Sequence, residues 1–284
     1  MRRDVLAMVQ GALEDRYTVV RQIARGGAAR IFEARDRDGT KVALKVLHPE
    51  LVVSLTAERF LREIGVLSRI DHPRICRLRD YGERDWLVYY VMDFVEGPTL
   101  REFLDRVRRT TVQDATRGTC EVLDALTYAH GLGVVHRDVK PDNIKISPEG
   151  AILLDFGIAK AVAASGSDRL TRSGFTVGTS AYMSPEQIAG TKDIDHRSDL
   201  YSVGCVLYEC LTGSPPYEHP DDRLVLGMHQ RGPIPELRKQ RRDAPAKLAK
   251  VVAKALAKDP GDRWQTAEEM RQALGACGQA SPPA

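Results

Sequence analysis

The sequence predicts an α+β protein: a small antiparallel strand-rich lobe carrying one helix, followed by a larger, mainly helical lobe. Three observations predict it. Short runs rich in β-branched and aromatic residues, punctuated by Gly-containing turns, fill the first part of the chain. From about residue 99 onward the apolar residues recur at helical spacing. Between residues 133 and 157 short strands and loops carry a dense set of charged residues. With 284 residues, 43% hydrophobic and 29% charged, the proportions are ordinary for a globular protein with a sizeable core.

The elements follow in order. Residues 1–15 read as an N-terminal extension. Tyr17-Thr18-Val19-Val20 and Ile31-Phe32-Glu33-Ala34 flank a Gly-containing turn, and Asp38-Gly39 separates the second run from a third, Lys41 to Leu47. On the third run Ala43 and Lys45 are two apart, so a small apolar residue and a cation share one face. A helix follows with Phe60, Leu61, Ile64 and Leu67 on its apolar side and Glu63 among them. An acid at the edge of a buried stripe requires a partner. Val122, Leu123, Leu126 and Ala129 mark one later helix, and Leu248, Val251, Val252, Ala255 and Leu256 another. Asp259-Pro260-Gly261 stops the latter, and Thr266 with Glu269 has the pattern of a capping box. There is no internal repeat.

Composition excludes several classes. A net charge of +3 is too small to argue for nucleic acid or an anionic membrane as main partner. The basic cluster Arg238, Lys239, Arg241 and Arg242 reads as a solvated loop, with a local contact to an acidic partner as the alternative. Five cysteines (Cys76, Cys120, Cys205, Cys210 and Cys277) form no CxxC pair and suit neither a disulfide framework nor structural zinc. Cytoplasmic, reduced thiols are the expectation. The longest apolar run, Leu200 to Leu211, contains Glu209 and is too short to span a bilayer. Nothing at the start reads as a signal peptide, and residues 276–284 read as a Pro-rich tail or the start of a linker.

The chemistry concentrates in His136-Arg137-Asp138-Val139-Lys140-Pro141-Asp142-Asn143, followed after one short strand by Asp155-Phe156-Gly157. This ordered set resembles the eukaryotic-type (Hanks-type) serine/threonine protein kinases that bacteria also carry, and the resemblance covers roughly residues 16 to 275. It implies a bilobal protein-kinase-like fold, with an N-lobe at about 16–95 and a C-lobe at about 96–275. It also implies ATP and Mg²⁺ as cofactors, with Mn²⁺ an alternative ion, and proteins with Ser/Thr acceptors as substrates.

The residue types fit that chemistry. Phosphoryl transfer concentrates negative charge on phosphate oxygens, so a site needs cations, hard oxygen ligands and a base. By resemblance Asp138 accepts the hydroxyl proton, Lys140 lies near the γ-phosphate, and Asn143 and Asp155 hold the metal. Lys45 holds the α- and β-phosphates and is positioned by Glu63. Met92 is the gatekeeper of a hinge, where the backbones of Asp93 and Val95 bond adenine under the roof of Ala43. The phosphate-covering loop is Ile23-Ala24-Arg25-Gly26-Gly27-Ala28-Ala29-Arg30-Ile31, with Ala24 and Ala29 where the family has glycines. If either position needs φ > 0, alanine there costs about 1 kcal/mol and weakens ATP binding. Lys145 departs from the family's apolar residue beneath adenine; its stem would serve, with the ammonium turned to solvent.

Lys140 and Thr179 match the Ser/Thr branch, and by resemblance the Thr179 hydroxyl bridges Asp138 and Lys140. Glu186 pairs with Arg263, Asp199 holds the catalytic loop backbone, and Leu67, Leu78, His136 and Phe156 form an apolar stack. Arg137 marks kinases switched by phosphorylation of the segment between Asp155 and Glu186, which carries Ser165, Ser167, Thr171, Ser173 and Thr176. Autophosphorylation in trans, through self-association, is the expected switch, at Thr171, Ser173 or Thr176. The alternative is a pseudokinase, a binding scaffold on the same fold, favoured by the two alanines and Lys145. A small-molecule kinase is disfavoured by Ser184-Pro185-Glu186, Asp199 and Arg263.

Overall fold

The computed structural model describes residues 5–27, 29–48, 64–84, 87–156, 180–191 and 194–278. They divide into two compact units, one of residues up to 72 together with 76–95, the other of residues 73–75 and those from 96 onward.

The first unit contains α1 (Val5–Leu13), β1 (Thr18–Arg25), β2 (Ala29–Arg35), β3 (Lys41–Leu47), β4 (Leu78–Arg84) and β5 (Leu87–Asp93). The strands form one antiparallel sheet in the order β1-β2-β3-β5-β4. The β2–β3 turn is where the sequence placed it. Gly39 has φ +80°, and the Asp36 carboxylate accepts from the backbone N–H groups of Asp38 and Thr40 at 3.1 and 2.8 Å. Strand alternation sends Val42, Leu44 and Val46 into a buried cluster with Phe32, Leu87, Tyr89 and Val91. Ala43 and Lys45 take the opposite face.

The cluster also contains Val9 and Leu13 of α1, both fully buried. In its described part, the expected N-terminal extension is therefore a core helix. Gln10 stitches it to β1, accepting from the Val19 N–H at 2.6 Å and donating to the Tyr17 carbonyl at 3.2 Å. Residues 64–67 are helical and bury Ile64; Phe60, Leu61 and Glu63 lie outside the described residues.

The second unit is mainly helical. It holds α2 (Leu100–Val107), α3 (Val112–Gly131), the hairpin β6 (Ile144–Ser147) and β7 (Gly150–Leu153), then α4 (Pro185–Ala189) and α5 (Arg197–Thr212). It continues with α6 (Asp222–Arg231), α7 (Leu237–Gln240), α8 (Ala246–Ala255) and α9 (Ala267–Gly278). Capping boxes start α2, through Thr99 and Glu102, and α4, through Ser184 and Gln187. At α9 the Thr266 hydroxyl accepts from the Glu269 N–H, but the Glu269 carboxylate accepts from Gln265 rather than Thr266, so the box is displaced by one residue. Helix α5 is buried from Ser198 to Leu211, so apolar residues occur on every side of it and its buried polar residues, Asp199 and Glu209 among them, need partners. No helix among the described residues is long and apolar enough to cross a membrane. All five cysteines are free thiols, with Cys205 and Cys210 buried. The basic cluster is not wholly solvated: Arg241 is buried, donating to the carbonyls of Thr110 and Leu211 at 3.0 Å each.

Candidate active site

In the first unit, the face of the sheet opposite α1 carries the predicted nucleotide residues. Ala43 stands across from Met92, and Lys45 across from Tyr90, whose ring centre is 5.3 Å from the ammonium. Asp93 places its backbone N–H on the Arg77 carbonyl at 3.0 Å, and its own carbonyl accepts from the Cys76 thiol, a weak donor, at 3.4 Å. The loop between β1 and β2 is closed by the Gly26 N–H on the Ala29 carbonyl at 2.9 Å. Ile23, Ala24 and Arg25 end β1, and Ala29, Arg30 and Ile31 begin β2. Among the described residues only Arg108, Arg137 and Asp155 combine a side chain with positive φ. Neither Ala24 nor Ala29 takes a left-handed backbone, so the strain that would follow from missing glycines does not arise. Ala29 is buried in the sheet and Ala24 is exposed.

In the second unit the residues 136–143 and 155–156 come together. Asn143 donates from Nδ2 to both the Asp138 carbonyl, at 2.8 Å, and its carboxylate, at 2.9 Å. The Lys140 ammonium lies 3.1 Å from the same carboxylate. His136 is fully buried, and its protonation is fixed by its neighbours. The Leu154 carbonyl, 2.7 Å from Nε2, only accepts, so Nε2 carries the proton and Nδ1 accepts from the Asp138 N–H at 3.2 Å. Burial holds this imidazole below its ordinary pKa against the pull of Asp199 and the Leu154 carbonyl. The ring packs against Phe156, centres 4.7 Å apart.

Asp199, on α5 and 1% exposed, accepts from the backbone N–H groups of His136 at 2.8 Å and Arg137 at 2.7 Å, and contacts His130 Nε2 at 2.9 Å. Arg137 has φ +63° and Asp155 φ +39°. The Arg137 guanidinium makes no hydrogen bond or ion pair among the described residues. The Lys145 ammonium donates, in an exposed contact, to the Gly97 carbonyl, and Lys145 itself bridges to Thr99.

The segment from Ser180 is fastened from below. Glu186 and Arg263 form a two-pronged pair at 2.7 and 2.8 Å, and the guanidinium also donates to the carbonyls of Ala257, Lys258 and Arg197. Burial would raise the Glu186 carboxyl, but the hydrogen bonds and charge of Arg263 hold it below the usual range. Sequence reading missed three further contacts: Ser180 donating to Asp222, Gln187 donating to the Arg137 carbonyl, and Arg101 with Tyr182 on the Glu209 carboxylate. The buried Glu209 within an apolar helix was the one available signal. Ala28, Glu63, Gly157, Ser165, Ser167, Thr171, Ser173, Thr176 and Thr179 lie outside the described residues.

The donor set fits a magnesium–nucleotide complex. With Nδ2 engaged twice by Asp138, Asn143 presents its Oδ1 as an acceptor, and Asp155 supplies a carboxylate. Mg²⁺ takes one or two protein oxygens plus phosphates, so no three-acid cluster is required, and the described residues hold none.

Comparison with known proteins agrees with this geometry. The family model for the protein kinase domain matches residues 17–274. Serine/threonine-protein kinase PknB of Mycobacterium tuberculosis is 40% identical over 279 residues, covering 95% of this chain and 44% of that protein. Serine/threonine-protein kinase pkn3 of Myxococcus xanthus is 38% identical over 271 residues, 91% of this chain and 49% of that protein. The chain thus spans less than half the length of the curated relatives it matches. Among solved structures, the crystal structure of Rad53 1-466 in complex with AMP-PNP is similar with a TM-score of 0.75 at 27% identity, covering 90% of this chain and 64% of that one.

Proposed function

This chain belongs to the protein kinase domain family, and from that premise we propose that it transfers the γ-phosphate of Mg-ATP to serine or threonine hydroxyls of proteins. One observation carries the reading: the Asp138 carboxylate is held by Asn143 and Lys140, on a loop pinned by the buried Asp199. Asp138 accepts the hydroxyl proton and orients the oxygen, and Lys140 offsets charge on the transferred group. Asn143 and Asp155 hold the Mg²⁺ or Mn²⁺, Lys45 the α- and β-phosphates, and Ala43, Met92, Asp93 and Val95 the adenine. Bound nucleotide supplies the phosphoryl group and the metal spreads its charge.

The catalytic domain runs over residues 16–275, with α1 packed into its core, and its setting is cytoplasmic. Regulation follows from Arg137. A phosphate on Thr171, Ser173 or Thr176, transferred between copies of the chain, adds about −1.5 to −2 charges and pairs with that guanidinium.

The test is phosphate incorporation followed by mass spectrometry after incubation with Mg-ATP, beside Asp138→Asn. Phosphate on Ser or Thr in the wild type alone is the expected result. Equal labelling of both proteins, or none in either with a basic protein as acceptor, overturns the reading in favour of a scaffold on the same fold.

A further inference from the structure

A half-buried ammonium lies below the Ser180–Glu186 segment, outside every role described so far. Lys258 donates to the Tyr217 hydroxyl at 2.8 Å and to two carbonyls in the last turn of α6, Met228 at 3.1 Å and His229 at 2.8 Å. The last carbonyls of a helix carry its negative dipole end; the Met228 carbonyl also accepts from the Gly232 N–H, so the ammonium adds a second donor there and caps the His229 carbonyl. Tyr217 passes the contact on, donating to the Pro233 carbonyl at 3.0 Å just beyond α6. Inside the same turn His229 is fully buried, its Nδ1 2.8 Å from the Tyr201 hydroxyl.

Both ends of α6 are thereby tied. At its first residue Asp222 accepts from the Ser180 hydroxyl at 3.0 Å. At its last turn Lys258 holds the backbone. The Lys258 carbonyl in turn accepts from Arg263 at 2.9 Å, the partner of Glu186. One residue therefore joins the two supports of the segment: the ammonium through α6 to Ser180, the carbonyl through Arg263 to Glu186.

We propose that Lys258 is a positioning residue for the acceptor-protein segment Ser180–Glu186, acting through α6. The proposal rests on the kinase reading above. The Nζ contacts all lie in the second unit, and none involves Lys45, Asp138, Asn143 or Asp155. Loss of the ammonium loosens α6 and the Ser180 contact while leaving nucleotide binding intact.

The experiment measures steady-state phosphorylation of myelin basic protein by the whole chain, as wild type, Lys258→Met and Tyr217→Phe. Nucleotide affinity is read separately with a fluorescent ATP analogue, and folding by thermal melting. Lys258→Met keeps the aliphatic stem and raises KM for the protein substrate by roughly fivefold or more, with nucleotide Kd unchanged. Tyr217→Phe removes one of the three acceptors and raises that KM by about twofold. An unchanged KM in both variants, or a KM and nucleotide Kd that worsen in parallel with the melting temperature, overturns the assignment. If Lys258→Met does not fold, Tyr217→Phe decides by the same criteria. A wild type inactive in this assay removes the kinase reading and this assignment with it; an active wild type beside an unaffected KM removes the assignment alone.

Discussion

Acid should destabilise this protein well before its carboxylates titrate, and His229 is a main reason. The side chain is fully buried. Burial, with the nearby Lys258 charge, pushes its pKa down from 6.5 to about 3, and the Ala181 backbone only partly opposes this. A histidine in the unfolded chain takes up a proton near pH 6.5. The folded protein does not, so the unfolded state binds more protons throughout the interval from about 6.5 to 3, and stability falls as pH falls. Each unit costs about 1.36 kcal/mol, so moving from pH 7 to pH 5 removes about 2 kcal/mol through this residue alone. The assay is urea unfolding at pH 7 and pH 5 for the wild type and His229→Gln. His136, also buried and held neutral, contributes to both proteins and cancels in the difference. The variant should lose about 2 kcal/mol less than the wild type between the two pH values. Equal losses would show that His229 titrates normally when folded, and the burial argument would fail.

Three further outcomes follow from single contacts. Arg263→Ala strands the Glu186 carboxylate and three carbonyls, so it should cost about 3–5 kcal/mol in chemical denaturation. In the wild type the depressed Glu186 contributes stability that is present above its ordinary value of 4.5 and lost as pH falls through its folded value, a dependence the variant should lack in acid titration monitored by circular dichroism. Leu13→Ala opens a cavity in the first unit's core and should cost about 2–5 kcal/mol, whereas a free extension would show no change. Gly97→Ala should cost at least about 1–3 kcal/mol for its φ of +104° alone, and a Cβ there would also clash with the Ile146 carbonyl oxygen; a melting temperature equal to the wild type would contradict both.

The sequence revealed what was periodic or clustered. The β2–β3 hairpin, the apolar faces of α3 and α8, and the Asp138–Asn143 loop all rest on short-range patterns, and each is where that pattern places it. What it hid depended on contacts distant in sequence. Val5, Val9 and Leu13 do recur at helical spacing, but nothing local says that a sheet begun at Thr18 has an uncovered face for them. The Lys145–Gly97 contact could not be read either, because the carbonyl belongs to a residue 48 positions away. The cost assigned to Ala24 and Ala29 was conditional on a backbone conformation that only coordinates reveal, and the strands leave both residues in ordinary geometry.

The same distinction explains why the loop His136–Asn143 cannot hold its geometry as a motif alone. Arg137 sits at φ +63°, a conformation that costs a residue with a side chain about 1–3 kcal/mol. Both of its backbone groups are taken by side chains from elsewhere: the N–H by Asp199 of α5 at 2.7 Å, the carbonyl by Gln187 of α4 at 2.9 Å. Asp199 is a carboxylate almost without solvent, and burying it is tolerable only because the His136 N–H, the Arg137 N–H and His130 converge on it. Hydrogen bonds to a charged acceptor contribute about 1.5–3 kcal/mol each, enough to offset the backbone strain. The strain and the buried acid therefore stabilise one another: neither is tolerable in isolation, and together they leave the loop one conformation. That conformation places the Asp138 carboxylate against Asn143 and Lys140, so the geometry around this carboxylate is set by the core of the helical unit rather than by the eight residues that display it.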